Sequence, residues 1–185
     1  MNRDLFWRYL EAEHPGMEAF CRKLVGNRDD GDDLYQDALL TAMTRLEALE
    51  NPESFKPWLY RIIVNMYKSR RRREWLRSRL RLAQSPDHSG TVDDNSGQIG
   101  ARIWLKRAFR AVSAEDRALV TLFEIDGWSV SELARMAGKP EGTIKSRLSR
   151  TRKKMRIELK KYLLETKLTE LEANYALPRC KTTFK

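Results

Sequence analysis

The sequence has few of the side chains that build metal sites and disulfide networks. It contains two cysteines among 185 residues, too few for a disulfide framework. Histidine is equally scarce, and a structural zinc site normally needs four cysteine or histidine ligands. We therefore expect a reduced protein without a bound metal or cofactor. The residues concerned are Cys21, Cys180, His14 and His88.

The sequence also lacks a long apolar run. A membrane-spanning helix needs about 20 mainly apolar residues, and no segment approaches that length. The first residues, MNRDLFWRYLEAEH, mix acidic and basic side chains and do not resemble a secretory signal. These absences predict a cytoplasmic protein.

Positive charge is what the sequence has in excess. The formal net charge is +10 and the isoelectric point is about 9.8. So basic a chain usually binds a polyanion, which is DNA, RNA or an anionic membrane. The basic residues are clustered along the chain, and this clustering favours binding over simple solubility as their role.

Apolar residues recur at helical spacing almost throughout, and no segment alternates in the way that a half-buried strand does. The exception is QSPDHSGTVDDNSGQIG at residues 84–100, which is too polar to bury a core. We predict an all-α chain of two small helical domains whose relative placement varies in the free protein. The predicted divisions are a first domain at 1–82, a flexible linker at 83–100, a second domain at 101–164, and a C-terminal extension at 165–185 that prolongs the last helix, docks on a domain or frays.

Three helices are predicted at the start of the N-terminal domain. Asp32 or Asp33 can cap the third of them, because acidic groups are favourable at that end of a helix. The outer face of this third helix carries Leu40 among acidic and polar side chains, which points to a protein partner. The predicted bounds are 5–13, 17–25 and about 33–49, with a break between the first two at Pro15-Gly16.

A fourth helix is predicted from about residue 54 or 55 into the basic run at 70–73. Arg61, Asn65, Lys68 and Arg72 share one face of it, and aromatic residues are interleaved with these charges. Cations beside aromatic rings suit single-stranded nucleic acid, because bases stack on the rings while the backbone follows the charges. The alternative is that the aromatic side chains simply belong to the core.

A helix-turn-helix is predicted in the C-terminal domain. Ser129 and Glu132 form a capping box for a short helix, and a turn at Gly138 leads into a long helix from Pro140 or Glu141 to about residue 163. The first turns of the long helix carry Lys, Ser and Arg on their outer face, as a helix placed in a major groove does. The alternative is a solvated basic face.

These motifs resemble two regions of extracytoplasmic-function sigma factors. Residues 24–46 and 55–73 are similar to region two of that family, with its "D-L-x-Q-(D/E)" and "W-L-x-(R/K)-I-x-x-N" patterns. Residues 117–156 are similar to region four, with "G-x-(S/T)-x-x-E-(I/L)-A" before "P-x-G-T-(V/I)-K-S-R-L". The resemblance implies a promoter-recognition subunit without catalytic activity or a small-molecule substrate. It also implies three partners: core RNA polymerase, promoter DNA and an anti-sigma factor.

The resemblance also implies three groups of binding residues. The group for core RNA polymerase would bind the clamp helices of the polymerase large subunit, and it consists of Leu34, Gln36, Asp37 and Leu40. Other parts of the chain would contact the polymerase flap. The group for the melted −10 element and its flipped base is Ser54, Phe55, Lys56, Arg61, Asn65, Lys68, Arg70, Arg71 and Arg72. The group for the −35 element is Glu141, Thr143, Lys145, Ser146, Arg147, Ser149, Arg150 and Lys153.

The sequence departs from the family pattern at two positions. Gly31 stands where a helix former is common, so the helix there is expected to begin later. Ser149 stands where a larger side chain is common. Three other classes remain open from the residues alone: a helix-turn-helix regulator with an N-terminal interaction domain, an enzyme acting on nucleic acid, and a dimeric or membrane-surface helical protein.

Overall fold

The structure, a computed structural model, describes residues 3–49, 51–81 and 99–175. All regular structure in these ranges is helical, which confirms the all-α prediction. Two single turns of 3-10 helix, Leu46–Ala48 and Pro52–Ser54, connect the second and third helices. The α-helices are α1 Arg3–Val25, α2 Arg28–Thr44, α3 Phe55–Arg81, α4 Ile99–Arg110, α5 Ala114–Glu124, α6 Val130–Ala137 and α7 Glu141–Tyr175.

The first helix corrects the expected break at Pro15-Gly16. Helix α1 continues through Pro15 without interruption. A proline inside a helix removes one hydrogen bond and costs about 3 kcal/mol. Apolar residues on both sides of it, including Phe6, Met17 and Phe20, lie on one stripe and are fully buried. Burying each of these side chains contributes about 1.5–3 kcal/mol, so the stripe outweighs the proline.

The second helix begins earlier and ends earlier than expected. Its N-cap is Asn27, whose side chain accepts a hydrogen bond of 2.8 Å from the backbone N–H of Asp30. Gly31 therefore lies inside the helix, where it is buried. A Cβ at Gly31 would lie 2.6 Å from the Cα of Arg22. The glycine marks a close crossing of α1 and α2, and it does not delay the helix.

The C-terminal domain has the predicted capping box and the predicted turn at Gly138. Ser113 caps α5 by accepting from the N–H of Asp116, and Ser129 with Glu132 forms the capping box of α6. Gly138 ends α6 with φ of +62°, a conformation that glycine adopts without strain. Helix α7 then continues to Tyr175, so the first part of the C-terminal extension is helical.

Helix α4 packs along this long α7. Trp104 meets Tyr162 edge to face at a centroid distance of 5.7 Å, and Arg107 pairs with Glu165 at 2.8 Å. Helix α4 begins at Ile99, slightly before the predicted domain boundary. Most of the predicted linker, and the last ten residues of the extension with Cys180, lie outside the described residues.

The two domains are packed together. One continuous cluster of buried apolar residues includes Phe20 and Tyr60 from the first domain and Leu119 and Trp128 from the second. The rings of Tyr60 and Trp128 are 4.6 Å apart. This conformation differs from independently placed domains, because large aromatic groups on the two facing surfaces are removed from water by the contact.

Candidate nucleic-acid and partner interfaces

The first turns of α7 form an exposed basic face, which we call the reading face. Lys145, Ser146, Ser149, Arg150 and Lys153 are all exposed. They share one side of the helix because residues spaced by three or four positions are neighbours. On the opposite side, a buried stripe of Ile144, Leu148 and Thr151 fixes the helix against the domain core.

Side chains of the reading face make their contacts within α7 itself. The Nε of Arg150 donates to the carbonyl of Ser146 at 3.2 Å, and the hydroxyl of Ser146 donates to the carbonyl of Thr143 at 3.0 Å. Glu141 is exposed in the first turn and lies 3.8 Å from the ammonium of Lys145. These local contacts leave the side chains accessible to a ligand in front of the helix.

Arg147 lies on a different side of α7 from the reading face. Its guanidinium pairs with Glu115 and with Asp116, both at 2.7 Å, at the N-terminus of α5. The hydrogen bond from Arg147 holds the pKa of Glu115 below its ordinary value, although partial burial opposes the shift. Arg147 is therefore better placed to fix the crossing of α5 and α7 than to contact DNA.

The outer side of α3 faces the second domain. The Nε and Nη2 of Arg61 donate to the backbone carbonyls of Met136 and Arg135, each at 2.6 Å. Lys68 lies 3.8 Å from Glu115 across the same interface. Asn65 is exposed beside them and helps to line a cleft between the domains. Three of the residues predicted for the −10 element therefore surround the contact between domains.

The side chains at the start of α3 differ in their exposure to solvent. Phe55 is 2% exposed and packs against the ring of Phe6, and this burial argues against a direct contact with DNA. Ser54 is exposed, whereas Lys56 is half-buried, pairs with Glu13 at 3.0 Å and lies over the Trp128 ring at 5.4 Å.

The end of α3 carries the basic run. Arg70 pairs with Asp37 of α2 and also donates to the carbonyl of Asp30 at 3.3 Å. Arg71 pairs with Glu74 at 3.1 Å within the helix, and Arg72 is exposed. Arg72 at the outer end of the run is therefore accessible to a ligand, whereas Arg70 at its inner end is bound to α2.

The outer face of α2 is acidic, and we call it the acidic face. Gln36, Asp37 and Leu40 are exposed on it, with Leu40 at 64%. Leu34, by contrast, is fully buried in the core, so it supports this face from beneath and does not present its side chain to a partner. An exposed leucine beside Gln36 and Asp37 is more typical of a protein-binding surface than of a DNA-binding one.

Sequence reasoning missed the residues that join the domains. Lys23 of α1 pairs with Asp126 at 2.5 Å, and the Nη2 of Arg117 donates to the backbone carbonyl of Lys23 at 3.2 Å. Nothing in the spacing of these residues marks them as partners, because they are about a hundred positions apart. The sequence carried one visible sign of the contact between the domains, which is the large apolar side chain of Trp128 at the edge of a turn.

The free cysteine among the described residues is Cys21. The thiol of Cys21 is buried, and this burial raises its pKa to about 12, so it stays protonated and unreactive. No group of histidine, cysteine and carboxylate side chains in the described ranges is arranged to hold a metal ion. Among the helices described, none is long and apolar enough to cross a membrane.

Comparison with known proteins identifies both domains. Residues 10–77 match the family model of Sigma-70 region 2, and residues 102–155 match that of Sigma-70, region 4. A region 2 domain followed by a region 4 helix-turn-helix defines the class of sigma-type transcription initiation factors.

Relatives specify the branch within this class. The ECF RNA polymerase sigma factor SigM of Mycobacterium tuberculosis is 30% identical over 83% of this chain and 76% of its own length. SigE of Mycolicibacterium smegmatis is 32% identical over 86% of this chain and 64% of its own. The sigma factor RpoE of Bartonella quintana, solved in complex with the anti-sigma factor NepR, is 28% identical with a TM-score of 0.64, over 84% of this chain and 96% of that one.

The chain belongs to the extracytoplasmic-function RNA polymerase sigma factors. It is an alternative sigma factor that directs promoter-specific transcription initiation. Neither matching family model describes a catalytic family.

Proposed function

We propose that this sigma factor divides its work among three surfaces. The acidic face of α2 binds core RNA polymerase through Gln36, Asp37 and Leu40. The outer side of α3 holds the melted −10 strand. The reading face of α7 recognises the −35 element. The observation that carries this division is the opposite charge of the exposed faces of α2 and α7 in a chain whose net charge is +10.

The acidic face is unsuited to DNA, since carboxylates repel phosphates. Phosphates and base edges instead favour the cations and hydroxyls of the reading face. Within this surface, Arg150 and Lys145 are the candidates for base contacts. Lys153 lies further along the helix and is placed for a phosphate.

The α3 surface carries cations, and Trp58 is partly exposed near its start, a combination that suits single-stranded DNA. Arg61, Asn65, Lys68 and Arg72 supply the donors along one side of the helix. The turn at Ser54 and Lys56 lies at the start of α3, where an extruded base can be held. Extruding a base costs a few kcal/mol, which polymerase binding and these contacts together must supply.

An anti-sigma protein is the third partner that we propose. The Bartonella relative is solved in complex with the anti-sigma factor NepR, and the present chain shares its fold over most of its length. We propose further that the chain is not an enzyme and that it acts in the cytoplasm with the polymerase.

The test is run-off transcription with purified core polymerase on a library of promoter sequences. We expect transcripts from a subset of templates that share both a −35 and a −10 sequence. Transcription without any sequence preference, or no transcription at any chain concentration, would contradict the proposal. The control is a chain with Gln36→Ala and Asp37→Lys, which leaves the side chains of α3 and α7 in place and should give little product.

A further inference from the structure

A cleft of about 360 Å³ lies between α3 on one side and α4 with α5 on the other. Three of the side chains that line it are aromatic, and four are cationic. Sites for small molecules have volumes of about 300 to 1,000 Å³, so the cleft is large enough to hold one. The aromatic residues are Tyr67, Trp75 and Phe109, and the cationic residues are Lys68, Arg71, Arg72 and Arg117.

Arg117 brings a positive charge into the cleft. Its guanidinium lies over the ring of Phe109 at 4.3 Å, and its Nη2 donates to the carbonyl of Lys23 at 3.2 Å. Its Nε is buried without a hydrogen-bond partner, and no carboxylate among the described residues forms an ion pair with this side chain. Burial lowers the pKa of Arg117 below its ordinary value. Because a buried charge is normally paired, the cleft favours an anion.

The other charged groups of the cleft show how much negative charge a ligand should carry. Glu115 is already paired, with Arg147 at 2.7 Å and with Lys68 at 3.8 Å. Arg72 is exposed at the rim. Arg72 and Arg117 thus offer two positive charges, and a ligand with more than one negative charge matches them best.

Trp75 offers the cleft an exposed ring. The side chain is 54% exposed, although the guanidinium of Arg79 lies over its ring at 4.4 Å. Planar bases stack on such rings, and this stacking accepts any base because every base has a π-face. An exposed ring beside two cations therefore suits a ligand that is both planar and anionic.

We propose that this cleft binds a free nucleotide, whose phosphates meet Arg72 and Arg117 and whose base stacks on Trp75. A nucleoside triphosphate joins a planar base to a group with several negative charges, and the cleft has room for one such molecule. The site itself does not rest on the proposed function, since Trp75 and Arg117 lie outside the group assigned to the −10 element. Its consequence does: a bound nucleotide occupies Arg72 and competes with the −10 strand for it.

Isothermal titration calorimetry of the full chain with ATP tests the site. Tripolyphosphate supplies the charge without the ring, and adenosine supplies the ring without the charge. We expect each of them to bind about tenfold more weakly than ATP, because each engages only part of the cleft. A single-stranded DNA trinucleotide distinguishes a strand from a free nucleotide, and it should bind no more tightly than ATP.

Substitutions show where ATP binds. Trp75→Ala and Arg72→Gln should each weaken ATP binding about fivefold. Their matched controls are Trp7→Ala, at a ring that is 49% exposed on α1, and Arg28→Gln, at an exposed side chain of α2. Neither control residue lines the cleft, so both should leave the ATP affinity unchanged. Arg117→Gln should weaken binding about tenfold, with its folding verified by circular dichroism because Arg117 also donates to α1.

Four results would overturn the site. The first is no binding of ATP at about 1 mM. The second is equal affinity for tripolyphosphate and ATP, which would mean an adventitious ion only. The third is an equal loss of affinity in the cleft variants and their controls, and the fourth is a trinucleotide that binds more tightly than ATP. All these titrations use the free chain without polymerase or promoter, so a failure of promoter-specific transcription leaves the site intact, and the loss of the site leaves the three proposed surfaces intact.

Discussion

Helices α2 and α7 both have exposed outer faces, and these faces differ in charge. Helix α2 exposes Asp33 and Asp37, whereas α7 exposes Lys145, Arg150 and Lys153. Both helices have acidic residues in the first turn, so the difference lies beyond the caps. The contrast teaches that the net charge of a DNA-binding chain does not describe its separate surfaces, because an acidic face and a basic face lie on the same chain.

The two helices are also anchored by different physical means. Helix α2 crosses α1 so closely that a Cβ at Gly31 would overlap the backbone of Arg22. Helix α7 is held by its buried stripe and by ion pairs from Arg147 to Glu115 and Asp116. Steric fit should therefore govern the first helix, and electrostatics should contribute to the second.

The largest expected effect tests the anchoring of α2. Gly31→Ala should destabilise the protein by about 3 kcal/mol, because backbone atoms of α1 must move to accept the methyl group. Urea unfolding followed by circular dichroism measures this loss. Gly142→Ala on α7 is the matched control, since no atom lies within 4 Å of its Cβ position. It should raise stability by up to about 1 kcal/mol. Equal effects of the two substitutions would remove the close crossing as an anchor.

The acidic face of α2 gives the next largest effect. The variant with Gln36→Ala and Asp37→Lys should weaken binding to core polymerase about thirtyfold, or about 2 kcal/mol. Both side chains are exposed, so the unfolding midpoint should hardly change, apart from the loss of the pair between Asp37 and Arg70. A binding titration with labelled chain gives the affinity. Wild-type affinity would exclude this face from the polymerase interface.

Two substitutions on the reading face of α7 test whether sequence recognition and phosphate binding use different side chains. Arg150→Ala should cost about 1–3 kcal/mol at the preferred −35 sequence and relax the preference at one or two base positions. Lys153→Ala should weaken binding to all sequences alike and reduce the salt dependence by about one unit of slope. Anisotropy titrations of the polymerase-bound chain on −35 duplexes at several salt concentrations distinguish these outcomes. Two solvated charges without a role would give small, equal losses for both substitutions.

The smallest expected effect concerns the ion pairs that hold α7. The folded-state pKa of Glu115 is lowered from its ordinary value of 4.5 by Arg147. The stabilisation is therefore complete above pH 4.5 and is lost as the pH falls through the lower, folded-state pKa.

The substitution Glu115→Gln should cost about 1 kcal/mol at pH 7, because the pair is partly exposed and Asp116 remains. This loss should shrink as the solution is acidified. Urea unfolding at pH 7 and below pH 4 tests it. Glu124→Gln, which breaks a more exposed pair with Arg152, is the control and should cost less. A loss that is independent of pH would show that Glu115 acts by packing alone.

Much of the fold was predictable because it depends on local rules. The caps at Ser113 and Ser129 and the turn at Gly138 follow from side-chain chemistry over a few residues. Pro15 and Gly31 were misread for the same reason, since each was judged by local propensity. A buried stripe decided the first, and a neighbouring helix decided the second.

The residues of the candidate site were predictable, but the contacts that some of them make within the protein were not. Spacing placed Lys145, Ser146 and Arg150 on one face, and the structure has them exposed together. Spacing could not show that Arg147 differs from these three residues, because its ion pairs with two carboxylates on α5 are visible only in the structure. The contact of Arg61 with α6 was also invisible, because it joins residues more than seventy positions apart through backbone carbonyls.

The division of work between α2 and α7 is tested most directly by sequencing run-off transcripts from a randomised promoter library. Three chains are compared at one core concentration: wild type, Asp37→Lys and Arg150→Ala. We expect Asp37→Lys to lower the output of all promoters by one common factor and to leave the −35 preference unchanged. We expect Arg150→Ala to alter the −35 preference and to leave the −10 preference as it is. If both variants change the same quantity, or if Arg150→Ala preserves the shape of the −35 profile, the division of work is contradicted.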